Sequence, residues 1–208
     1  MMFPPVIAGG ISYKRILLPD KIFFIFMFVD AVFELIFLLM NFKVIPYYGF
    51  LMTHVFGIVQ ILFVSAFFYF VFINSKYAVF TLILALVSLS VSFYFLIWEG
   101  GINKFPSTPL AVQNFSFTLL ALLYFYKVFN EDKIFRFEKE ADFWIISGIL
   151  VYFAGTFTLF LLQKYFLEGY KPSFQYYSII NSICNIVSKI FYTVGLFCKP
   201  QSKIQRSF

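Results

Sequence analysis

The sequence predicts an all-α fold, a polytopic transmembrane helix bundle. Of its 208 residues, 62% are hydrophobic and 12% are charged, and the mean hydropathy is +0.88. A soluble domain carries about 25% charged residues, so this composition excludes that class. Apolar segments of about 20 residues, the length that crosses a bilayer as a helix, recur along the chain. We therefore expect a single transmembrane helical domain over residues 1–208, with the lipid bilayer as its main partner.

Seven segments are predicted to cross the membrane, and the first of them is short. Its apolar part stops near Ile11, and Pro19 with Asp20 separates it from the second segment. The loop EGGINKFPSTP ends the fourth segment, because its glycines and prolines do not continue a helix. The predicted segments are about 1–18, 22–42, 47–73, 77–98, 110–128, 143–162 and 174–198.

Two segments carry small residues at helical spacing. Small residues let two helices approach closely in lipid, so these faces are expected to contact neighbouring helices. The faces are formed by Ala85, Ser88 and Ser92 in the fourth segment and by Gly148, Tyr152 and Gly155 in the sixth.

The basic residues predict the orientation. The formal net charge is +6, but Lys and Arg are scattered singly over the connections and form no stripe, so nucleic acid is not an expected partner. Alternate connections carry eleven and four of these residues, and the richer side is expected to be cytoplasmic. With seven crossings, this places the C-terminus in the cytoplasm and the N-terminus outside.

Cys184 and Cys198 are the two cysteines, and both belong to the last segment. Fourteen residues of helix separate them by about 21 Å, which is beyond disulfide reach. No grouping of Cys and His has the spacing of zinc ligands, and no cofactor is predicted. A cleavable signal peptide is not expected, because residues 1–11 lack a basic region and contain Pro4 and Pro5.

Asp30 and Glu34 lie in the middle third of the second segment. Residues four apart share a helical face, so both carboxyl groups point the same way. A charged side chain at the bilayer centre costs at least about 2.5 to 3.5 kcal/mol, and such residues face the protein interior. We therefore expect these acids to have partners inside the bundle.

Lys189 in the seventh segment is the expected partner. Counted from the basic residues that flank each segment, Asp30 and Lys189 both lie about 14 to 15 Å deep. We predict that the second and seventh helices pack together and that Asp30 pairs with Lys189. Glu34 is then expected to hydrogen-bond to an amide of the polar stripe on the seventh segment. That stripe is formed by Asn181, Asn185, Ser188 and Lys189.

Several interpretations of this buried polar cluster stay open. It is a structural cluster that fixes helix register, a cavity that binds an ion, a proton or a small polar ligand, or a set of groups completed by lipid headgroups or a partner subunit. A lysine in a seventh helix would also suit a retinal Schiff base, with Asp30 as its counter-ion. The third segment, which supplies that counter-ion in rhodopsins, contains no acid.

His54, the sole histidine, is expected to be a polar tip at the outer interface. With Gln60 of the same segment and Asn114 of the fifth, it could form an outward-facing pocket. We find no HExxH, GxSxG or P-loop motif, and two acids with one histidine are too few for a di-metal site. We therefore expect no enzyme and no metal site.

The strongly charged stretch from Lys127 to Asp142 reads KVFNEDKIFRFEKEAD. It mixes both charge signs with phenylalanines, so it is either a solvated loop or a segment that lies at the membrane surface. Together with the C-terminal tail, it is the expected contact for a cytoplasmic or membrane protein partner.

The runs FWIISGILVYFAGTFTLFLL and YSIINSICNIVSKIFYTVGLFC resemble a family of small bacterial seven-helix integral membrane proteins with no assigned activity. Residues 5–14, which contain VIAGGISYK, look like the end of the family's first helix, and Glu34, Asn41 and Asn185 match its polar positions. Members are often encoded beside two-component sensor kinases and are similar to the membrane sensor regions of kinases. The resemblance implies a bacterial inner membrane location and a sensing or accessory role.

The chain departs from that family at Lys189, where a neutral residue is usual, at Gln60, where an acid is expected, and in its short first helix. Our first hypothesis is a non-enzymatic sensing, signalling or accessory protein for a small or lipid-like ligand. One alternative is a small transporter or channel subunit that uses Asp30, Glu34 and Lys189 for an ion or proton. Another is a structural subunit of a membrane assembly. A transporter needs a polar path to both faces and often has broken helices at its site, whereas a sensor needs one opening.

Overall fold

The computed structural model describes residues 3–46, 48–99, 101–130, 140–161 and 172–198. Every regular element in these residues is helical and none is a strand, which confirms the all-α class. The helices are α1 (Phe3–Ser12), α2 (Leu18–Asn41), α3 (Gly49–Val71), α4 (Tyr77–Tyr94), α5 (Ser107–Asn130), α6 (Ala141–Leu161) and α7 (Pro172–Phe197).

Helix α2 begins at Leu18, four residues before the predicted start at Ile22. Pro19 lies in the first turn, where its missing N–H has no helical partner to lose and its fixed φ suits a helix. Asp20 follows in the same turn, and its Oδ2 accepts a hydrogen bond from the Leu17 N–H at 3.3 Å. Pro19 and Asp20 therefore start α2, and the break before it falls at residues 13–17.

The far end of α4 changes helix type before it stops. Phe95–Glu99 continues the helix as a π-helical turn, and a short 3₁₀ turn follows at Gly101–Asn103. Gly101 has a φ of +57°, a left-handed conformation that glycine adopts without the steric cost of a Cβ. The glycine-rich loop thus ends this helix as the sequence predicts.

The helices follow one another around a closed ring, in which α7 contacts α1. Helices that follow one another in the chain run antiparallel, as α2 and α3 show: Phe26 packs on Phe63, and Phe33 packs on Phe56. α3 also contacts α5 across the interior. α1 packs on both α2 and α7, so it lies between their backbones.

The contact between α6 and α7 depends on glycines. A Cβ added at Gly148 would lie 2.9 Å from the carbonyl oxygen of Ser188, and one at Gly195 would lie 3.0 Å from that of Ala141. Gly155 faces Cys184 in the same contact. The predicted small-residue face of α6 is therefore the face that α7 packs against.

The small-residue face of α4 contacts α5. Ser88 Oγ donates a hydrogen bond to Ser116 Oγ at 3.1 Å, and both side chains are buried. Ser92 donates to the Ser88 carbonyl oxygen one turn earlier in its own helix. This predicted contact is also present in the structure.

Six helices are long and apolar enough to cross a membrane, α2 to α7. Their outer faces carry exposed large apolar side chains such as Phe28, Leu86 and Ile190, which suit a lipid surrounding. The protein is therefore an integral membrane protein. α1 has ten residues and is about 15 Å long, half of the roughly 30 Å hydrocarbon thickness. The seventh crossing thus stays a prediction.

The charged stretch is described only at its ends. α5 extends to Asn130 and α6 starts at Ala141, so both helices are longer than predicted. Residues 131–139 and the tail at 199–208 lie outside the described residues, and the partner contact predicted there stays a prediction.

Candidate functional site

An ion pair joins α7 to α2 inside the bundle. The Nζ of Lys189 donates a hydrogen bond to the Oε1 of Glu34 at 2.6 Å. The Lys189 side chain is 9% exposed, and that of Glu34 is 37% exposed. Two charged residues that the sequence placed in one cluster are thus in direct contact.

The acid partner of Lys189 differs from the prediction, which paired it with Asp30. Within the described part of the chain, Lys189 forms its ion pair with Glu34. Side chains in a helix lean toward its N-terminus. Because α2 and α7 run antiparallel, the long Lys189 side chain leans toward the level of Glu34, and Asp30 leans away from it. Counting residues from the ends of the segments estimates the depth of each Cα atom, but it does not give the depth of the charged group at the end of the side chain.

The prediction that α2 packs on α7 is met only by side chains that touch across the interior. The two backbones are not neighbours, because α1 packs on both. The ring of Phe23 packs edge-on against Tyr192 with 4.8 Å between centroids. Further along, Glu34 meets Lys189. A higher residue number on α2 thus meets a lower one on α7, which makes the two helices antiparallel.

A cavity of about 40 Å³ lies beside the ion pair. One water needs about 10 to 15 Å³ on this measure, so the cavity has room for roughly three waters. It is far smaller than a polyene chromophore such as retinal. Its walls come from α2, α3, α6 and α7, and its polar lining residues are Asp30, Gln60, Tyr152, Asn185, Ser188, Lys189 and Tyr192.

Asp30 presents its carboxylate to this cavity. The residue keeps part of its surface accessible, and it lines the cavity wall. Among the described residues it forms no hydrogen bond and no ion pair. Lys189 and Glu34 act on it electrostatically. Asp30 is therefore a cavity-facing acid without a contact partner in the described structure.

The two amides of the α7 stripe differ in their surroundings. Asn185 lines the cavity, whereas Asn181 lies one turn further from Lys189. The Oδ1 of Asn181 is buried and accepts no hydrogen bond from the described residues. Glu34, the acid that the sequence assigned to these amides, is the partner of Lys189. The amides thus extend a polar surface along α7 beyond the ion pair.

Polar side chains continue from the cavity toward the end of the bundle that carries the α4–α5 connection, and we name this region the polar half. Gln113 Nε2 donates to Gln60 Oε1 at 2.6 Å. Asn114 Nδ2 donates to Thr156 Oγ1 at 2.8 Å. All four side chains are buried. Gln60 therefore links the cavity to Gln113 on α5, and a second buried pair, Asn114 and Thr156, joins α5 to α6.

His54 completes the polar half at its outer end. It is 5% exposed, and its Nε2–H donates to the carbonyl oxygen of Lys104 at 3.1 Å, since a carbonyl only accepts. The sequence proposed one pocket formed by His54, Gln60 and Asn114. In the structure, each of the three bonds to a different partner, and Gln60 belongs to the cavity beside Lys189.

The opposite half of the bundle, nearer the α1–α2 and α3–α4 connections, is the apolar half. Phe23 and Tyr192 form the floor of the cavity, and Phe67 packs on Phe23 with 5.3 Å between centroids. Fully buried apolar side chains fill the space below them. These include Phe67, Phe68, Phe72, Leu120, Ile145 and Leu196. The described structure therefore opens no polar path from the cavity through this half.

Sequence reasoning missed four residues of the site, and two of them had a signal. Tyr192 follows Lys189 by three residues and so continues the polar stripe of α7. Gln113 is an uncharged polar residue in an apolar helix, like Gln60. Tyr152 and Thr156 had no comparable signal, because both residue types are common on membrane helices that bind nothing.

Other classes of site find no support in the described residues. No group of three His, Cys, Asp or Glu side chains in them could hold a metal ion. Both cysteines are free thiols. Comparisons of the chain with protein-family models, curated proteins and solved structures found no match. The class that the structure defines is thus a helical integral membrane protein with a charged interior cavity.

Proposed function

We propose that this protein is a non-enzymatic membrane sensor or accessory protein that binds a small polar ligand in the cavity beside Asp30 and Lys189. One observation carries the proposal: buried polar side chains lie on one side of the charged cavity, and buried apolar side chains fill the other side. A sensor needs one opening to its ligand, whereas a transporter needs access from both faces. The volume of about 40 Å³ favours a small ligand over a lipid-like one.

The helices around the cavity support the same function. α2 runs without a break through Asp30 and Glu34, and α7 runs without a break through Lys189. Transporter sites near the membrane midplane are typically formed by broken helices. Continuous helices are suited to pass a shift at the cavity to their far ends, where a cytoplasmic partner would read it.

The alternative function is ion or proton transport. It is favoured by an acid without a contact partner that lies next to a buried ion pair, since intramembrane ionisable residues often mark proton and ion pathways. Sealed liposomes that contain the purified protein separate the two functions. With gradients of Na⁺, K⁺ or protons, the sensor shows no flux above empty liposomes. An ion or proton flux that the Asp30→Asn variant lacks would reject the sensor function in favour of transport.

Sensing also requires that the cavity is coupled to the far end of α7, where Cys198 lies. In a Cys184→Ser background, Asp30→Asn is expected to change the alkylation rate of Cys198 by about fivefold, within the usual range of coupling between sites. Ser147→Ala is the control, because it removes a hydroxyl that is bonded within α6 and does not line the cavity. Equal Cys198 alkylation rates in wild type and Asp30→Asn would contradict sensing. A structural subunit of a membrane assembly would then be the remaining hypothesis.

The arrangement in the membrane belongs to the same proposal. The closed ring supports seven helices around one interior. We further propose that the N-terminus lies outside and the C-terminus in the cytoplasm of a bacterial inner membrane, an orientation that the distribution of Lys and Arg supports. In a cysteine-free background, Lys43→Cys is then expected to react with an impermeant maleimide on intact cells, and Lys76→Cys only after the membrane is opened. The reverse pattern would invert the orientation.

A further inference from the structure

With both acids ionised, the described side chains around the cavity beside Asp30 carry one excess negative charge. Its charged neighbours are Asp30, Glu34 and Lys189. Lys189 is committed to Glu34 at 2.6 Å, and the hydroxyl groups of Tyr152 and Tyr192 are uncharged at neutral pH. Asp30 is the remaining acid, and it carries the excess negative charge when its carboxyl group is ionised. An ionised carboxylate inside a membrane protein requires a counter-charge.

The cavity offers the groups that coordinate a small cation. Beside Asp30, its wall carries the amides of Gln60 and Asn185 and the hydroxyl of Ser188. Gln60 Oε1 accepts one hydrogen bond from Gln113, which leaves a second lone pair on the amide oxygen. Ser188 Oγ donates to the Asn185 carbonyl oxygen and also contacts the Tyr192 hydroxyl, which leaves one lone pair for a ligand. Carboxylate, carbonyl and hydroxyl oxygens are the ligands of hard cations.

Volume and charge select the class of cation. Room for roughly three waters suits one bare ion with one or two waters and favours it over an organic ligand. A divalent ion would exceed the single excess charge, and Ca²⁺ prefers about six to eight oxygen ligands. From these observations we infer that the cavity binds one monovalent cation, an alkali metal ion or ammonium, on the Asp30 carboxylate. The inference names the ligand class of the proposed sensor site, and it holds for that site whether or not the protein is a sensor.

The test is the thermal stability of the purified protein in detergent. The chlorides of sodium, potassium and ammonium are compared with N-methyl-D-glucamine chloride at equal concentration, which keeps ionic strength constant. A ligand that binds the folded state at ten times its dissociation constant is expected to raise the Tm by roughly 3 to 6 °C. The cation with the largest shift is the one that the site prefers. Equal Tm values in all four salts over a wide concentration range would overturn the inference.

Two variants assign the effect to Asp30. Asp30→Asn removes the charge with little change in shape and is expected to abolish the salt-specific shift. Asp142→Asn is the matched control, because this buried acid lies in the first turn of α6 and does not line the cavity. A shift that persists in Asp30→Asn, or that disappears equally in Asp142→Asn, would refute the assignment.

A second measurement needs no variant that must fold. If sodium is the preferred ion, its NMR line broadens in the presence of wild-type protein, and added potassium or ammonium reverses the broadening in proportion to its own Tm shift. Broadening that competing cations do not reverse refutes a shared site. The outcomes separate this inference from the proposed function. If cations bind and the liposomes show flux, the cation site is confirmed and the sensor function is rejected. If Asp30→Asn changes the Cys198 rate but no cation binds, the sensor function is supported and the cation is rejected as its ligand.

Discussion

Lys189 and Glu34 are 155 residues apart in the chain, yet their Nζ and Oε1 atoms lie 2.6 Å apart. The contact crosses from the last helix of the ring to the second, past α1, which packs on both. It connects α2 and α7 across the interior of the bundle, beside the cavity. It also leaves Asp30, one turn from Glu34, as the acid that faces the cavity.

The ion pair is expected to contribute to stability through its contact. Lys189→Met and Glu34→Gln should each destabilise the protein, and the double variant should lose less than the sum, with a coupling energy of about 1 to 2 kcal/mol. The partial exposure of Glu34 limits this value. Unfolding in mixed micelles containing SDS measures it. The cycle of Lys189→Met with Asp30→Asn is the control, and a larger coupling there would contradict the pairing with Glu34.

The close approach of α6 and α7 predicts a strong effect at one glycine. Gly148→Ala should destabilise the protein by about 1 to 3 kcal/mol, because the new Cβ would meet the Ser188 backbone and force the helices apart. Gly10→Ala is the matched control in α1, where a Cβ meets nothing within 4 Å. It should stabilise by up to about 1 kcal/mol through helix propensity. Equal effects of the two substitutions in the same unfolding assay would refute the packing.

The buried amide pair predicts a non-additive result. Gln113→Met should cost about 1 to 2 kcal/mol, because it leaves Gln60 Oε1 without its donor inside the bundle. Adding Gln60→Met removes the unsatisfied group and should recover most of the loss, since methionine keeps the shape of glutamine. The free energy of unfolding of the four proteins tests this. If the two losses simply add, the hydrogen bond does not stabilise the fold.

Cys198, just beyond the end of α7, predicts a pH dependence. Burial, and then the negative charge of Asp20, raise the pKa of the Cys198 thiol above its usual range. The thiolate is the reactive form, so alkylation at neutral pH should be slow and should accelerate only as pH rises through the raised pKa. In a Cys184→Ser background, the rate of reaction with iodoacetamide across pH measures the midpoint. Asp20→Asn should lower that midpoint, and an unchanged midpoint would exclude Asp20 as a cause.

Much of the fold follows from local rules. Apolar segments of sufficient length predict the six crossing helices, and the spacing of small residues predicts the contacts that α4 and α6 make with their neighbours. The start of α2 was placed late because Pro19 was interpreted as a break, although proline also suits the first turn of a helix.

The site was predictable in kind and less so in detail. Asp30, Glu34 and Lys189 were expected together because charges inside a membrane protein need partners, and the structure gathers them around one cavity. The pair Gln60 and Gln113 was not predicted, because the sequence does not say which faces of α3 and α5 meet.

The sequence by itself determined that this is a helical membrane protein whose interior contains two acids and a base, since composition and the 3.6-residue period are local properties. The tertiary structure decided that Lys189 bonds Glu34 and leaves Asp30 facing the cavity. It also decided that the polar groups continue toward one end while aromatic and aliphatic side chains close the other. The reason is that partner choice depends on helix direction and on where side-chain ends lie. Those are set only when α1 and the other helices pack around the same interior.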